Sequence, residues 1–186
     1  MGKTILAFDV GIKNLSYCLI QDKQIIKWDL INLILPEDKR KPVLTDVSVT
    51  LFMTLHDKFN DEHIDFVVIE NQPVMKNPVM KSIQMLIFSY FQYSKIIEGK
   101  WITGVHFIGA GTKVKLAEQI LHDKKIEFVK EGVAKYKYNK EIAKKCVSEL
   151  LKEDTDEMLQ FYSSNKKKDD LADCYLLALV YYFRIF

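Results

Sequence analysis

The run Phe66-Val67-Val68-Ile69 is the feature that most narrows what this chain can fold into. It lies between Asp65 and Glu70, and Asn71-Gln72-Pro73 breaks it. Successive residues of a strand point to opposite faces, so four apolar residues in a row predict a strand covered on both sides. That is the position of a central strand in an α/β sheet. A second short apolar run, Thr4–Phe8, ends at Asp9 and is followed by Gly11. Leu15–Ile20 and Gln24–Leu30 come next, joined by the short polar links Gly11–Asn14 and Gln21–Lys23, which predicts a meander. Trp101–Ile108, closed by Gly109-Ala110-Gly111, reads as a fifth strand.

Helical spacing fills most of the remainder. It predicts helices over Thr45–Phe59, Pro78–Ile97, Thr112–Leu121 and Tyr138–Leu151, and a last one from near Asp169. In the first of these, Val49, Phe52, Met53 and His56 share a face. Asn139 is the expected N-cap of the fourth, and residues 152–168 read as a polar connection. The expectation is an α/β fold: a five-stranded mixed sheet flanked by helices, in a single domain over residues 1–186.

Three elements carry acids that an apolar pattern would not choose. Asp9 closes the first strand, Glu70 closes the fourth, and Asp169, Asp170 and Asp173 open the last helix. Ligands of open α/β sheets gather at the carboxyl ends of strands, where Asp9 and Glu70 sit. Asp173 lies three residues beyond Asp170 and in line with the apolar Leu176, Leu177 and Val180. A carboxylate facing a core is costly unless it is paired or binds metal. Hard cations such as Mg²⁺ take oxygen ligands, and two of them can clamp the attacking and leaving oxygens of a phosphodiester. Asp9 before Gly11 alone is ordinary turn chemistry, and Asp169 and Asp170 alone suit the helix dipole; Glu70, a poor strand residue after four apolar ones, is less ordinary. Their combination points to a metal-dependent site.

The overall charge is uninformative, with 27 Lys+Arg against 25 Asp+Glu, but its distribution is not even. From Lys113 to Lys145 there are ten lysines and five acids, a local excess of +5. Lys113, Lys115, Lys135, Lys137, Lys140 and Lys145 are candidate phosphate contacts, with Tyr136 and Tyr138 interleaved for base stacking. Lys76 and Lys81, just after Glu70, are further candidates. Cys18, Cys146 and Cys174 are odd in number and far apart, which fits a reducing, cytoplasmic setting rather than a disulfide framework. The N-terminal apolar stretch is too short for a signal peptide. Leu171–Phe186, interrupted by Asp173 and Arg184, falls short of the ~20 residues of a membrane span and reads as a core helix.

The segment Phe8-Asp9-Val10-Gly11-Ile12-Lys13-Asn14 resembles the opening strand of the RuvC-type Holliday junction resolvases, above all their poxvirus and fungal mitochondrial branch. Val68-Ile69-Glu70-Asn71-Gln72-Pro73 resembles the second motif of that branch, with Asn71 in place of Arg. Lys168-Asp169-Asp170-Leu171-Ala172-Asp173 is similar to its final acidic motif. The three stand in family order across nearly the whole chain. The resemblance implies an RNase H-like fold, a homodimer, and cleavage of four-way DNA junctions with two Mg²⁺ or Mn²⁺ ions per site. It implies Asp9, Glu70, Asp170 and Asp173 as catalytic metal ligands, with Asp169 an adjacent one. It also implies a catalytic lysine, assigned to Lys144 in preference to Lys145. Pro78–Ile97, apolar on more than one face, would then turn one side to the core and the other to the second subunit. A viral, intracellular setting fits, with a mitochondrial one less favoured. The alternatives are a domain that binds branched nucleic acid without cutting it, and a nuclease acting on RNA–DNA hybrid. An actin-like ATPase, which also opens with strand-Asp-x-Gly, lacks its later glycine-rich phosphate loops here.

Overall fold

The computed structural model describes residues 2–34, 43–75, 77–128 and 134–186. One sheet holds five strands: β1 (Thr4–Asp9), β2 (Leu15–Gln21), β3 (Gln24–Ile31), β4 (Phe66–Asn71) and β5 (Gly104–Gly109). Their spatial order is β3-β2-β1-β4-β5. The first three form an antiparallel meander, β4 runs parallel to β1, and β5 parallel to β4. The helices are α1 (Leu44–Phe59), α2 (Pro78–Ile96), α3 (Gly111–Asp123), α4 (Lys135–Leu151), α5 (Asp156–Ser164) and α6 (Lys168–Ile185).

Strand alternation divides the core into two layers. Ile5, Ala7 and Val68 pack with α3, α4 and α6, among Ala117, Ile142, Cys146 and Leu177. Leu6, Phe8, Val67 and Ile69 pack with α1 and α2, among Leu51, Leu55, Ile83, Ile87 and Phe91. The same parity carries one step further: Asp9 shares the face of Ala7, and Glu70 that of Val68. Both acids are therefore directed into the α3/α6 layer by their strands. Phe8 anchors the opposite layer, meeting Phe59 edge-on at 5.8 Å, and such aromatic pairs add ~0.5–1.5 kcal/mol beyond buried area.

The start of α6 is fixed by the meander. Ser16 Oγ donates to the carbonyl of Asp170 at 2.7 Å, and Trp28 Nε1 donates to that of Leu171 at 3.1 Å. These carbonyls lie in the first turn of the helix that carries Asp170 and Asp173. Trp28 also stacks on Tyr162 of α5, with centroids 5.3 Å apart and planes 7° from parallel.

Several expectations need correction. β5 starts at Gly104, and Trp101 is exposed before it. α4 starts at Lys135, four residues ahead of Asn139, and follows Ala134, which supplies no side-chain cap. α5 occupies what read as a polar connection; Thr155 Oγ1 caps it by accepting from Met158 N at 3.4 Å, and Tyr162 is its one buried anchor. On α1 the buried face is Val47, Leu51, Leu55 and Phe59, whereas Val49, Phe52 and Met53 face outward. That helix is apolar on two sides, and periodicity alone does not say which side meets the sheet. Among the described residues no helix is long and apolar enough to cross a membrane.

Candidate metal centre

Asp9 and Glu70 follow directly on the paired residues Phe8 and Ile69, so the parallel strands β1 and β4 bring them side by side. The β1–β2 turn leaves no room beyond glycine at its second position: a Cβ on Gly11 would lie 2.6 Å from the Asn14 carbonyl oxygen. From above the strand ends, α6 supplies Asp173. Between these three acids stands Lys113, from the first turn of α3. Its Nζ is 3.0 Å from Asp173 Oδ2, 3.3 Å from Glu70 Oε1 and 3.7 Å from Asp9 Oδ1. Lys113 is only 3% exposed and Glu70 8%.

Negative charge is in surplus here. Burial holds the Asp9 carboxyl well above the usual carboxylate range; the Lys113 charge opposes this, and neighbouring Glu70 adds to it. Burial likewise raises Asp173, again against the pull of Lys113. Asp170 is pushed up to about 6 by burial and by the charges of Asp169 and Asp9. Burial works against the charged form of Lys113, but Asp9, Asp173 and Glu70 outweigh it and hold the ammonium protonated. Among the described residues no group of three acid, histidine or cysteine side chains is set as a ready metal shell. The donor chemistry nevertheless fits hard cations: Asp9, Glu70, Asp170 and Asp173 offer only oxygens, under a burial cost that positive charge would relieve. An ammonium already stands among three of them, Asp9, Glu70 and Asp173.

The remaining site residues separate into groups. Asp169 is ion-paired with Lys140 at 2.6 Å; against the effect of burial, that hydrogen bond lowers its pKa. Lys140 also lies 4.9 Å from the ring centroid of Tyr136. Lys144 pairs with Glu141 along α4 at 2.7 Å. The lysine that meets the acids is therefore Lys113, which read from sequence as a surface phosphate contact. Its place at the start of α3, just past the end of β5, aims it at the strand ends. Lys115, Lys135 and Lys137 are exposed, and Lys145 is exposed beside Glu149 at 2.9 Å. Lys81 donates to Asn71 Oδ1 at 3.0 Å and Gln84 Oε1 at 3.1 Å. Lys76 and residues 129–133 of the basic segment lie outside the described residues.

Sequence reasoning missed the residues that hold Glu70. Gln72 Nε2 donates to Glu70 Oε2 at 3.4 Å, and Gln72 N donates to Gln84 Oε1 at 2.8 Å. Gln84 is fully buried beside Ile83 in the core stripe of α2, and a glutamine within such a stripe is the available signal. Ser16, buried in β2 and bonded to α6, is a comparable case.

No protein-family model matches the chain. It is 36% identical over 124 residues to an uncharacterized protein of Acanthamoeba polyphaga mimivirus, covering 63% of this chain and 29% of that protein. It is 38% identical over 69 residues to the mitochondrial cruciform cutting endonuclease 1 of Schizosaccharomyces pombe, covering 30% of this chain and 27% of that one. The chain thus spans less than a third of the length of these curated relatives. Among solved structures, the yeast mitochondrial Holliday junction resolvase Ydc2 superposes with a TM-score of 0.67 at 22% identity, over 96% of this chain and 78% of that one. The fowlpox virus resolvase, solved with Holliday junction DNA, gives 0.61 at 15% identity over 98% of both chains. The architecture is the RNase H-like fold that these resolvases share.

Proposed function

We propose that this chain is a structure-selective endonuclease that resolves four-way DNA junctions by paired, metal-dependent phosphodiester hydrolysis. One observation carries the reading: Asp9, Glu70 and Asp173 meet around a single buried cation, at the strand ends of a fold seen in Holliday junction resolvases. Asp9, Glu70, Asp170 and Asp173 would hold two Mg²⁺ or Mn²⁺ ions. Bound there, the ions would supply an activated water and neutralise the leaving oxygen. The protein side of the chemistry is positional. Ser16 and Trp28 fix the turn that carries Asp170, and Gln72 and Gln84 orient Glu70. Exposed Lys115, Lys135 and Lys137 attract the phosphate backbone, a term that weakens as salt rises. Lys113 is the cationic side chain of this chain that stands among the acids.

A homodimer would present two such sites to opposed strands. Its support is the outer face of α1 and α2. Phe52, Met53, Tyr90 and Tyr93 line a groove of about 780 Å³ there, with Met53 62% and Tyr93 55% exposed. The viral relative supports a setting inside an infected cell. The test offers a synthetic four-way junction, a linear duplex and an RNA–DNA hybrid to the protein with Mg²⁺. Symmetric paired nicks in the junction alone are expected. Cleavage confined to the hybrid, or junction binding without nicks, would replace this reading with one of its alternatives.

A further inference from the structure

We propose that Lys113 is the resident counter-ion of the acid centre: its ammonium holds the carboxylates together until a divalent cation enters and takes its place. The inference rests on the reading that these acids bind Mg²⁺ or Mn²⁺. Lys113 is the one buried lysine among the described residues, and its three partners come from three separate elements. It is an imperfect fit for them. A lysine ammonium is a compact point charge, and only Asp173, at 3.0 Å, is at close hydrogen-bonding distance, with Asp9 out at 3.7 Å. One positive charge stands against three carboxylates, so the set keeps a net negative charge. A divalent cation with oxygen ligands compensates that surplus better. The ammonium and an incoming metal ion need the same carboxylate oxygens, so they compete for the centre. The lysine rides on the first turn of α3 on a flexible four-carbon stem.

A permanent structural ion pair would behave differently when metal is added, and two measurements on the full chain without DNA separate the cases. In the first, lysines of the wild-type protein are acetylated with an amine-reactive reagent in EDTA or in saturating Mg²⁺, and the sites are read by mass spectrometry. Lys113 should react slowly in EDTA and at least about five-fold faster with Mg²⁺, while exposed Lys137 is unchanged. In the second, calorimetry compares Mg²⁺ and Mn²⁺ binding by wild type and Lys113→Met. Removing the competing charge should tighten metal binding about ten-fold or more, and the variant's melting temperature should be lower in EDTA and rise further on metal addition. Equal metal affinity in the two proteins, or a Lys113 that stays protected with metal bound, would overturn the proposal and leave the metal reading intact. Absence of metal binding by both proteins would overturn the metal reading and the proposal together. If Lys113→Met does not fold, the acetylation of wild type decides alone.

Discussion

The parallel pair β1–β4 has Asp65 at its amino end and Asp9 at its carboxyl end, and the two are treated in opposite ways. At the amino end, Asp65 accepts from Thr4 N at 2.9 Å and from Lys3 Nζ at 3.4 Å. Its backbone joins in: Asp65 N donates to the Thr4 carbonyl at 3.1 Å, and its own carbonyl accepts from Thr103 N at 2.7 Å. Those bonds, working against burial, hold the carboxyl below its usual range. At the carboxyl end, Asp9 faces Glu70 and shares one ammonium with two other acids, and burial holds it well above that range. Asp65 is a staple that ties β1, β4 and the approach to β5. Asp9 belongs to a site whose charge the protein compensates only in part, through the single ammonium of Lys113. The sheet is secured at one end and kept electrostatically strained at the other, and it is the strained end that can still gain from binding a cation.

Exchanging each acid for its amide is the sharpest way to break that contrast. Asp9→Asn should lower junction cleavage about a thousand-fold while junction binding stays within a few-fold and the metal-free melting temperature does not fall. Asp65→Asn should do the reverse. Cleavage per folded molecule is retained, but stability drops by about 1–3 kcal/mol as hydrogen bonds to a charged, buried acceptor are weakened. At this chain length that is a fall in melting temperature of roughly 2–4 °C per kcal/mol. Cleavage assays with thermal unfolding of both variants decide the matter. An Asp9→Asn protein that still cuts, or an Asp65→Asn protein as stable as wild type, removes the distinction between the two ends.

A smaller effect separates positioning from ligation within the strained end. Ser16→Ala deletes the bond to the Asp170 carbonyl and leaves every carboxylate in place. Stability should fall by about 1 kcal/mol, and cleavage several-fold through the turnover rate rather than through junction binding. Single-turnover kinetics measure that split. Wild-type turnover in Ser16→Ala would mean that the first turn of α6 is held by Trp28 and packing alone.

The two ends also differ in how readable they were. Asp9, Glu70 and Asp173 stood out because each interrupts an apolar pattern: two close buried strands, and one lies in the stripe of a core helix. The five strands were legible for the same reason, since their runs are apolar on both faces or alternate cleanly. Lys113 was not legible. Gly111-Thr112-Lys113-Val114-Lys115 is an ordinary polar helix start, and the acids that bury its ammonium are remote in sequence. α5 escaped because only Tyr162 anchors it, and the stacking partner Trp28 lies on β3. The inward face of α1 was misjudged because that helix carries two apolar faces, and which one meets Phe8 is a tertiary fact.

The gentlest probe of the comparison is pH, applied to metal-free protein. The depressed carboxyl of Asp65 stabilises the fold above the ordinary carboxylate range, and that contribution is lost as pH falls through its folded value. Asp170, pushed up to about 6, has the opposite sign. The folded state binds its proton more tightly than the unfolded chain does, so the Asp170 contribution to stability is greatest at acid pH. It declines as the solution rises from about pH 4 to about pH 6. Asp170→Asn should therefore melt higher than wild type at pH 7.5 in EDTA, by about 1–2 kcal/mol after solvent screening, and match it near pH 4. Asp65→Asn should melt lower at pH 7.5 and approach wild type only at more acid pH. Saturating Mg²⁺ should reverse the first difference, because the wild-type carboxylate then meets the positive charge it lacked. Melting curves from pH 3 to pH 8, with and without Mg²⁺, read all of these together. If Asp170→Asn melts lower than wild type at pH 7.5 without metal, the carboxyl end is as well compensated as the amino end, and the strain assigned to it is absent.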